Sequence, residues 1–229
     1  MGGSSIEAPA GRLRPRGLAD FRGVGGAPAL LSYPPGAVVV VSGLPGSGKS
    51  TLLRRWGGAA ATAVDPRDVH EACEAVMPAR LPYAVYRPWA RLEHVRWLRA
   101  AVRAGDPVLV HDCGSRPWLR RWLARSAGRQ GRELHLVLLD VGAAEALAGQ
   151  DARGRWAPGR VFARHDRRLV ALLRALSGPA GASAVPEAAS VVLLDGTSRQ
   201  RVAAVEFVPE GGHVPGPRTT AAPARREGA

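Results

Sequence analysis

The sequence predicts an α/β fold, a parallel sheet with helices on both faces. Two observations carry that prediction. Short runs that are apolar at every position recur along the chain, and longer segments with helical spacing lie between them. A strand that is apolar throughout has no solvent face, so its sheet needs cover on both sides.

The elements follow in order. Val38-Val39-Val40-Val41 is the strongest strand, and the turn Tyr33-Pro34-Pro35-Gly36 delivers the chain into it. Ala61-Thr62-Ala63-Val64 is a weaker second strand. Leu92, Val95, Leu98 and Val102 keep helical spacing and precede the strand Val108-Leu109-Val110. Trp118, Leu119, Trp122 and Leu123 mark the next helix, with both tryptophans expected in the core. His135-Leu136-Val137-Leu138-Leu139 is a strand, Leu169, Leu172, Leu173 and Leu176 mark a later helix, and Val191-Val192-Leu193-Leu194 is the last strand. Residues 1–35 are rich in Gly, Pro and Arg without a sustained period and are expected to be a flexible arm, with a short ordered piece at Leu30-Leu31-Ser32-Tyr33. Residues 36–208 form one domain, and 209–229 are expected to be a disordered tail.

With 229 residues, 46% of them apolar, the chain can bury a core without disulfide or metal staples. Its formal net charge of +13 first suggests a polyanionic partner. However, Lys49 is the only lysine, asparagine is absent and Ile6 is the single isoleucine. Such a composition fits a GC-rich bacterial coding bias that writes Arg for any surface cation, so charge alone does not establish a nucleic-acid partner. Cys73 and Cys113 are far apart with no C-x-x-C, which argues against a disulfide framework or a cysteine zinc site and fits a reducing cytosol. The first residues lack an apolar signal-peptide region, and no apolar stretch approaches the roughly 20 residues a membrane helix needs. A cytoplasmic protein with no membrane partner is expected.

The strongest motif is Gly43-Leu44-Pro45-Gly46-Ser47-Gly48-Lys49-Ser50, which fits G-x-x-x-x-G-K-[ST] in full and is followed by Thr51. It lies directly after the first strand and opens a helical pattern, where a phosphate-binding loop must lie. Its glycines let successive N–H groups point inward at phosphate oxygens, and the helix adds its positive end. Lys49 reaches the β- and γ-phosphates, and the Ser50 hydroxyl suits Mg2+. A forked guanidinium does not replace a compact ammonium there. The sole lysine stands at that position.

Three apolar runs end in an acid: Asp112, Asp140 and Asp195. Strand ends of a parallel sheet face the ligand crevice. Asp112 is expected to serve the metal beside Ser50, and Asp140 and Asp195 to terminate strands and cap helices. His111 points to the opposite face and is expected to be packed. Phosphoryl transfer also needs a carboxylate to orient the acceptor hydroxyl and take its proton. Asp65 and Asp68, after the second strand, are both candidates, and the sequence leaves open which faces the cleft. Residues 149–168 are dense in arginine around Pro158-Gly159 and suit a lid over a triphosphate, with Arg153, Arg155 and Arg160 as cations for developing charge and Arg164 next. Arg116, Arg120 and Arg121 are weaker candidates for contacting an acceptor. Trp56, Trp89, Trp97 and Trp156 offer stacking faces, but nothing selects one.

Taken together, GLPGSGKST, Asp68-Val69-His70, Val110-His111-Asp112-Cys113 followed by Arg116-Pro117-Trp118, Leu138-Leu139-Asp140 and the arginine-rich segment resemble bacterial P-loop kinases of the AAA_33 type. These are related to polynucleotide kinase and more distantly to zeta toxins and chloramphenicol phosphotransferase. The resemblance spans roughly residues 36–208. It implies a P-loop NTPase fold, a three-layer α/β/α sandwich whose five-stranded parallel sheet has the order 2-3-1-4-5, with a helical lid. It also implies ATP·Mg2+-dependent phosphorylation of a hydroxyl on a nucleic-acid end or small molecule. Two positions depart from the pattern: His70 and Gln150 stand where relatives often carry arginine. Alternative readings of the same loop are a nucleotide-dependent switch or slow ATPase acting through a protein partner, and an ATP binder without turnover.

Overall fold

The computed structural model describes residues 11–209 apart from 24, 25, 59, 79, 114, 115, 153, 155 and 156. Nine strands and seven α-helices, with a 3-10 helix at Gly181–Ala184, follow one another among these residues. They are β1 (Arg12–Leu13), β2 (Gly17–Asp20), β3 (Leu30–Tyr33), β4 (Val38–Gly43), α1 (Lys49–Trp56), β5 (Thr62–Val64), α2 (Pro66–Val76), α3 (Tyr83–Ala104), β6 (Val108–Cys113), α4 (Pro117–Gly128), β7 (Leu134–Leu139), α5 (Gly142–Asp151), α6 (Gly159–Ser177), β8 (Ser190–Leu194), α7 (Ser198–Arg201) and β9 (Ala204–Phe207). No helix among the described residues is long and apolar enough to cross a membrane.

The main sheet is parallel throughout, in the order β2-β8-β7-β4-β6-β5. The five strands β5-β6-β4-β7-β8 reproduce the expected order, with β4 in their middle. Val38 to Val41 are fully buried because β4 has a strand on each side and helices on both faces. The chain leaves β4 through α1 in one direction to reach β5, then returns through α4 from β6 to β7 in the other. Right-handed crossovers running in opposite directions put α1 and α4 on opposite faces. They part above β4 and β6, and the crevice between them opens at the C-terminal ends of those two strands.

Two expectations need correction. The sheet has six strands rather than five, because β2 pairs with the outer edge of β8 over Gly17–Asp20. The segment expected to be a flexible arm carries β1, β2 and β3. Strands β1 and β3 join β9 in a second, three-stranded parallel sheet. Gly17-Leu18-Ala19-Asp20 has no strand pattern of its own. It is extended because β8 offers unpaired backbone groups, and tertiary pairing overrides weak propensity. The ordered piece expected at Leu30–Tyr33 is β3. Residues 1–10 and 210–229, including nearly all of the expected tail, lie outside the described residues.

Helix faces also differ in part. Leu98 and Val102 are buried, whereas Leu92 is exposed. Leu119 and Leu123 enter the core, but Trp118 is 55% exposed and Trp122 is partly buried under the Arg99 guanidinium. Six tryptophans in a small core cannot all be inside, and in α4 the two leucines take the core face.

The second sheet is tied beneath the first through Tyr33, whose buried ring lies 4.7 Å from the His135 ring at the start of β7. His135 also contacts the Ser190 hydroxyl through Nδ1 at 2.9 Å. Burial, helped by the charge of Arg16, holds its pKa down at about 4 although Glu133 lies 3.5 Å from Nε2. The folded protein thus prefers neutral imidazole, while the unfolded chain takes up a proton from about pH 6.5. This contribution is complete above the unfolded value and is lost as pH falls toward about 4. Thermal melts from pH 7 to 4.5 should show the loss, up to about 3 kcal/mol, and His135→Gln should flatten part of the slope.

Candidate functional site

Strand β4 ends at Gly43, and the loop curls through Gly48 into α1 at Lys49. Gly48 caps the helix at φ +89° with no side-chain cap, and the first turn holds no acid. Its leading N–H groups are therefore left for an anion. Lys49 is only 3% exposed. Its ammonium donates to the carbonyls of Gly43 (3.0 Å) and Leu44 (2.6 Å) and to the Ser47 hydroxyl (3.3 Å). Three oxygens solvate a buried charge at the base of the loop.

Gly46, at φ +91°, takes the backbone of α5 directly: a Cβ there overlaps the Ala146 carbonyl and lies 3.0 Å from Gln150 Cγ. Gly149 meets the Gly46 carbonyl in the same way. Two glycines face each other where helix and loop touch.

Strands β5 and β6 carry the candidate acids. Asp65 ends β5 and caps α2, its carboxylate accepting from Arg67 N at 2.9 Å. His111 Nδ1 lies 2.9 Å from Asp65 Oδ1 and 3.3 Å from Ser50 Oγ. Burial alone would raise the Asp65 pKa. The hydrogen bond and charge of His111, with the Ser50 hydroxyl and Arg67 N, outweigh it and hold the pKa below the usual carboxylate range. Asp68 is exposed on the first turn of α2. Of the two candidate acids, Asp65 lies beside the phosphate loop.

Strand alternation places His111 opposite Val41 and Asp112 opposite Ser42, so their side chains leave opposite faces. His111 was expected to be packed, yet it touches Ser50. Asp112 turns the other way: Oδ2 accepts from Arg116 N at 3.0 Å and sits 3.5 Å from Ser42 Oγ. Its Oδ1 is buried and takes no hydrogen bond from the described residues, with Arg116 Nε at 4.0 Å. His94 on α3 and His165 on α6 feel the charges of Arg116 and Asp112. Burial, chiefly, lowers both, His94 to about 4.

Asp195 behaves as a cap, accepting from Thr197 N, Ser198 N and Gly23 N, and these backbone bonds lower its pKa to about 2. Asp140 instead pairs with Arg22 at 2.9 Å. Arg153 and Arg155, and the ring of Trp156, lie outside the described residues. Arg160 and Arg164 are exposed on the first turns of α6, whose other face buries Phe162, Leu169, Leu173 and Leu176 in the core. The second half of the expected lid is thus anchored. Gln150 Oε1 accepts from Ala157 N at 2.6 Å and closes the span between α5 and α6. Arg120 is buried against Glu187 at 3.0 Å and is structural.

Sequence reasoning missed Arg199 and Glu145. Arg199 donates to the Ser47 carbonyl and, at 2.7 Å, to Glu145 of α5. The available signal was position alone: Arg199 follows the end of β8 by a few residues, but it is one arginine among many.

A family profile for the AAA domain AAA_33 matches residues 38–176, more than half of the chain. The chain belongs to the AAA_33 family. It carries a P-loop kinase-like domain, and the sheet order and loop agree with that membership. No curated protein matches the chain. Among solved structures, the PezAT chromosomal toxin–antitoxin system of Streptococcus pneumoniae is similar in fold, with a TM-score of 0.50 at 11% identity over 74% of this chain and 69% of that one. The Deinococcus radiodurans tunicamycin resistance protein gives a TM-score of 0.42 at 16% identity, covering 72% and 91%. A gluconokinase from Sinorhizobium meliloti gives 0.37 at 19% identity, covering 69% and 82%.

The glycine-to-glycine seat of α5 on the AAA_33 loop has a direct consequence. Gly46→Ala forces a left-handed side-chain position and a backbone overlap, at a cost of at least about 2 kcal/mol. The melting temperature should fall by roughly 4–8 °C, and ATP binding, followed by titration calorimetry, should weaken more than tenfold (on the order of 1.4 kcal/mol).

Proposed function

We propose that this AAA_33 protein is an ATP- and Mg2+-dependent phosphotransferase that moves the γ-phosphoryl group to a hydroxyl of a nucleic-acid end or small molecule. One observation carries the reading. A buried, ionised carboxylate, Asp65, stands beside the Ser50 hydroxyl at the mouth of a complete phosphate loop.

The loop's N–H groups and Lys49 hold the phosphates in place. Asp65 accepts a hydrogen bond from the incoming hydroxyl and aims its oxygen at the γ-phosphorus. The new O–P bond forms as the β–γ bridging bond breaks, ADP leaves with that oxygen, and the hydroxyl proton passes to Asp65 late in a loose transition state. A depressed pKa suits this role, since the acid stays ionised and serves first to orient. His111 keeps it so. Arg160, with Arg153 and Arg155, supplies cations toward the transferred group.

The Ser50 hydroxyl is a hard oxygen donor of the kind Mg2+ selects, and Asp65 beside it suits a metal-bound water; Asp112, expected beside Ser50, instead leaves the opposite face of β6 toward Ser42 and Arg116. Few protein ligands are required, because Mg2+ keeps waters and phosphate oxygens in its shell. No cluster of three His, Cys, Asp or Glu ligands occurs among the described residues. When bound, the ion neutralises charge on the β- and γ-phosphate oxygens.

The test is transfer of label from γ-labelled ATP·Mg2+ to 5′-hydroxyl oligonucleotides and to a metabolite pool. Lys49→Ala should abolish transfer. Asp65→Asn should lower it by about 10²–10⁴ with ATP binding intact, and Asp68→Asn should leave it within about threefold, consistent with an exposed residue. Label appearing only as inorganic phosphate, or staying in ATP, would replace the kinase with a hydrolytic switch or a passive binder.

A further inference from the structure

The two ends of a bound nucleoside triphosphate are unequal, and so are the two sides of β4. On the β6 and β5 side stand His111 and Asp65 with Ser50, which mark the γ end. The nucleoside must then leave the loop over its other rim, toward the C-terminal ends of β7 and β8. That rim is formed by α5 and by the segment from Asp195 to Arg201.

Arg199 and Glu145 meet at that rim. The Arg199 guanidinium donates through Nη1 to the Ser47 carbonyl, and Nη1 lies 3.1 Å from where a Gly48 Cβ would be. The Ser47 carbonyl is thus turned toward Arg199, on the side of the loop that faces the segment after β8. Nη2 pairs with Glu145 Oε1 at 2.7 Å. The Glu145 carboxylate in turn fills the space against Gly196, 2.7 Å from where its Cβ would be. The pair therefore bridges α5 and the segment after β8 at the rim opposite Asp65 and His111.

Its anchorage is unequal. Arg199 is carried by a fixed backbone: Arg55 forks onto the carbonyls of Arg199 (2.6 Å) and Val202 (2.7 Å), Trp56 Nε1 donates to Val202, and Asp195 caps the turn. The Glu145 side chain is 47% exposed and the Arg199 side chain 20%. A half-solvated carboxylate is a weak partner, and a guanidinium stacks readily on an aromatic face.

We propose that the Arg199–Glu145 ion pair is a latch on the nucleoside side of the phosphate loop: the base of an incoming nucleotide displaces Glu145 from the Arg199 guanidinium and stacks on it. The latch rests on the nucleotide-binding reading above. It gives the two residues opposite signs, because Arg199 holds the base while Glu145 competes with it.

The experiment is calorimetric titration of ATP and, separately, inorganic tripolyphosphate into the full chain, its Lys49→Ala form, Arg199→Gln and Glu145→Gln. The expected result is about tenfold weaker ATP binding for Arg199→Gln and about threefold tighter binding for Glu145→Gln, with tripolyphosphate unchanged in both. Circular dichroism melts confirm that each variant is folded. ATP binding that shifts in the same direction in both variants, or in neither, overturns the latch alone, and so does a tripolyphosphate shift equal to that for ATP. Wild-type protein that fails to bind ATP, or Lys49→Ala protein that binds it equally well, overturns the nucleotide reading and the latch together.

Discussion

A single buried ammonium organises this molecule. Lys49 is the one lysine of the chain, and it is almost wholly enclosed at the root of the phosphate loop. Burying a cation is expensive unless oxygens take the place of water. Gly43, Leu44 and Ser47 do so, which fixes the curl of the loop around Lys49. That curl in turn requires Gly46 and Gly48 in left-handed conformations, and Gly46 must also admit the α5 backbone. A guanidinium would need a wider set of acceptors in one plane. In a chain that otherwise places Arg at every cationic position, the exception is the position with room only for a compact charge.

The same loop separates two electrostatic environments. On the β6 side, alternation along one strand splits two polar neighbours: His111 faces Ser50 and Asp65, while Asp112 faces Arg116. Each carboxylate is thereby given its own partner, His111 for Asp65 and Arg116 for Asp112, and neither must share a site with the other. Two like charges close together would push one pKa up and remove an ionised acid from the crevice. Separating them across the strand keeps Asp65 ionised.

How much of this was legible in the sequence follows from where each residue's conformation is decided. Strands β4, β6, β7 and β8 were legible because burial on both faces leaves an unbroken apolar run. The phosphate loop was legible because its chemistry fixes both glycines and lysine. Strands β1 and β2 were not, since their extended form comes from the edges they join. Trp118 and Leu92 fit helical spacing, but a stripe does not say which flank meets the sheet. His111 fell on the expected face opposite Asp112; its contact with Ser50 depends on where α1 begins, and spacing does not carry that. Arg199 was hidden by composition, because one functional arginine leaves no mark in a chain rich in structural ones.

The N-terminal strands give the extra residues a place in the same logic. Beyond β2, Arg22 bridges Asp20 and Asp140, and Gly23 N donates to Asp195. Asp195 is the residue that caps the turn carrying Arg199. Strand β2 thus does more than widen the sheet. It fastens the ends of β7 and β8 to each other and supplies one further donor, Gly23 N, to the capping carboxylate. A turn held by this many charge-assisted bonds has little freedom to drift. The far rim of the phosphate loop is therefore set by the segment whose sequence least resembles a structured one. An edge strand added to the core sheet by backbone pairing, which carries no sequence signature, thus brings Arg22 and Gly23 to the acids that end β7 and β8.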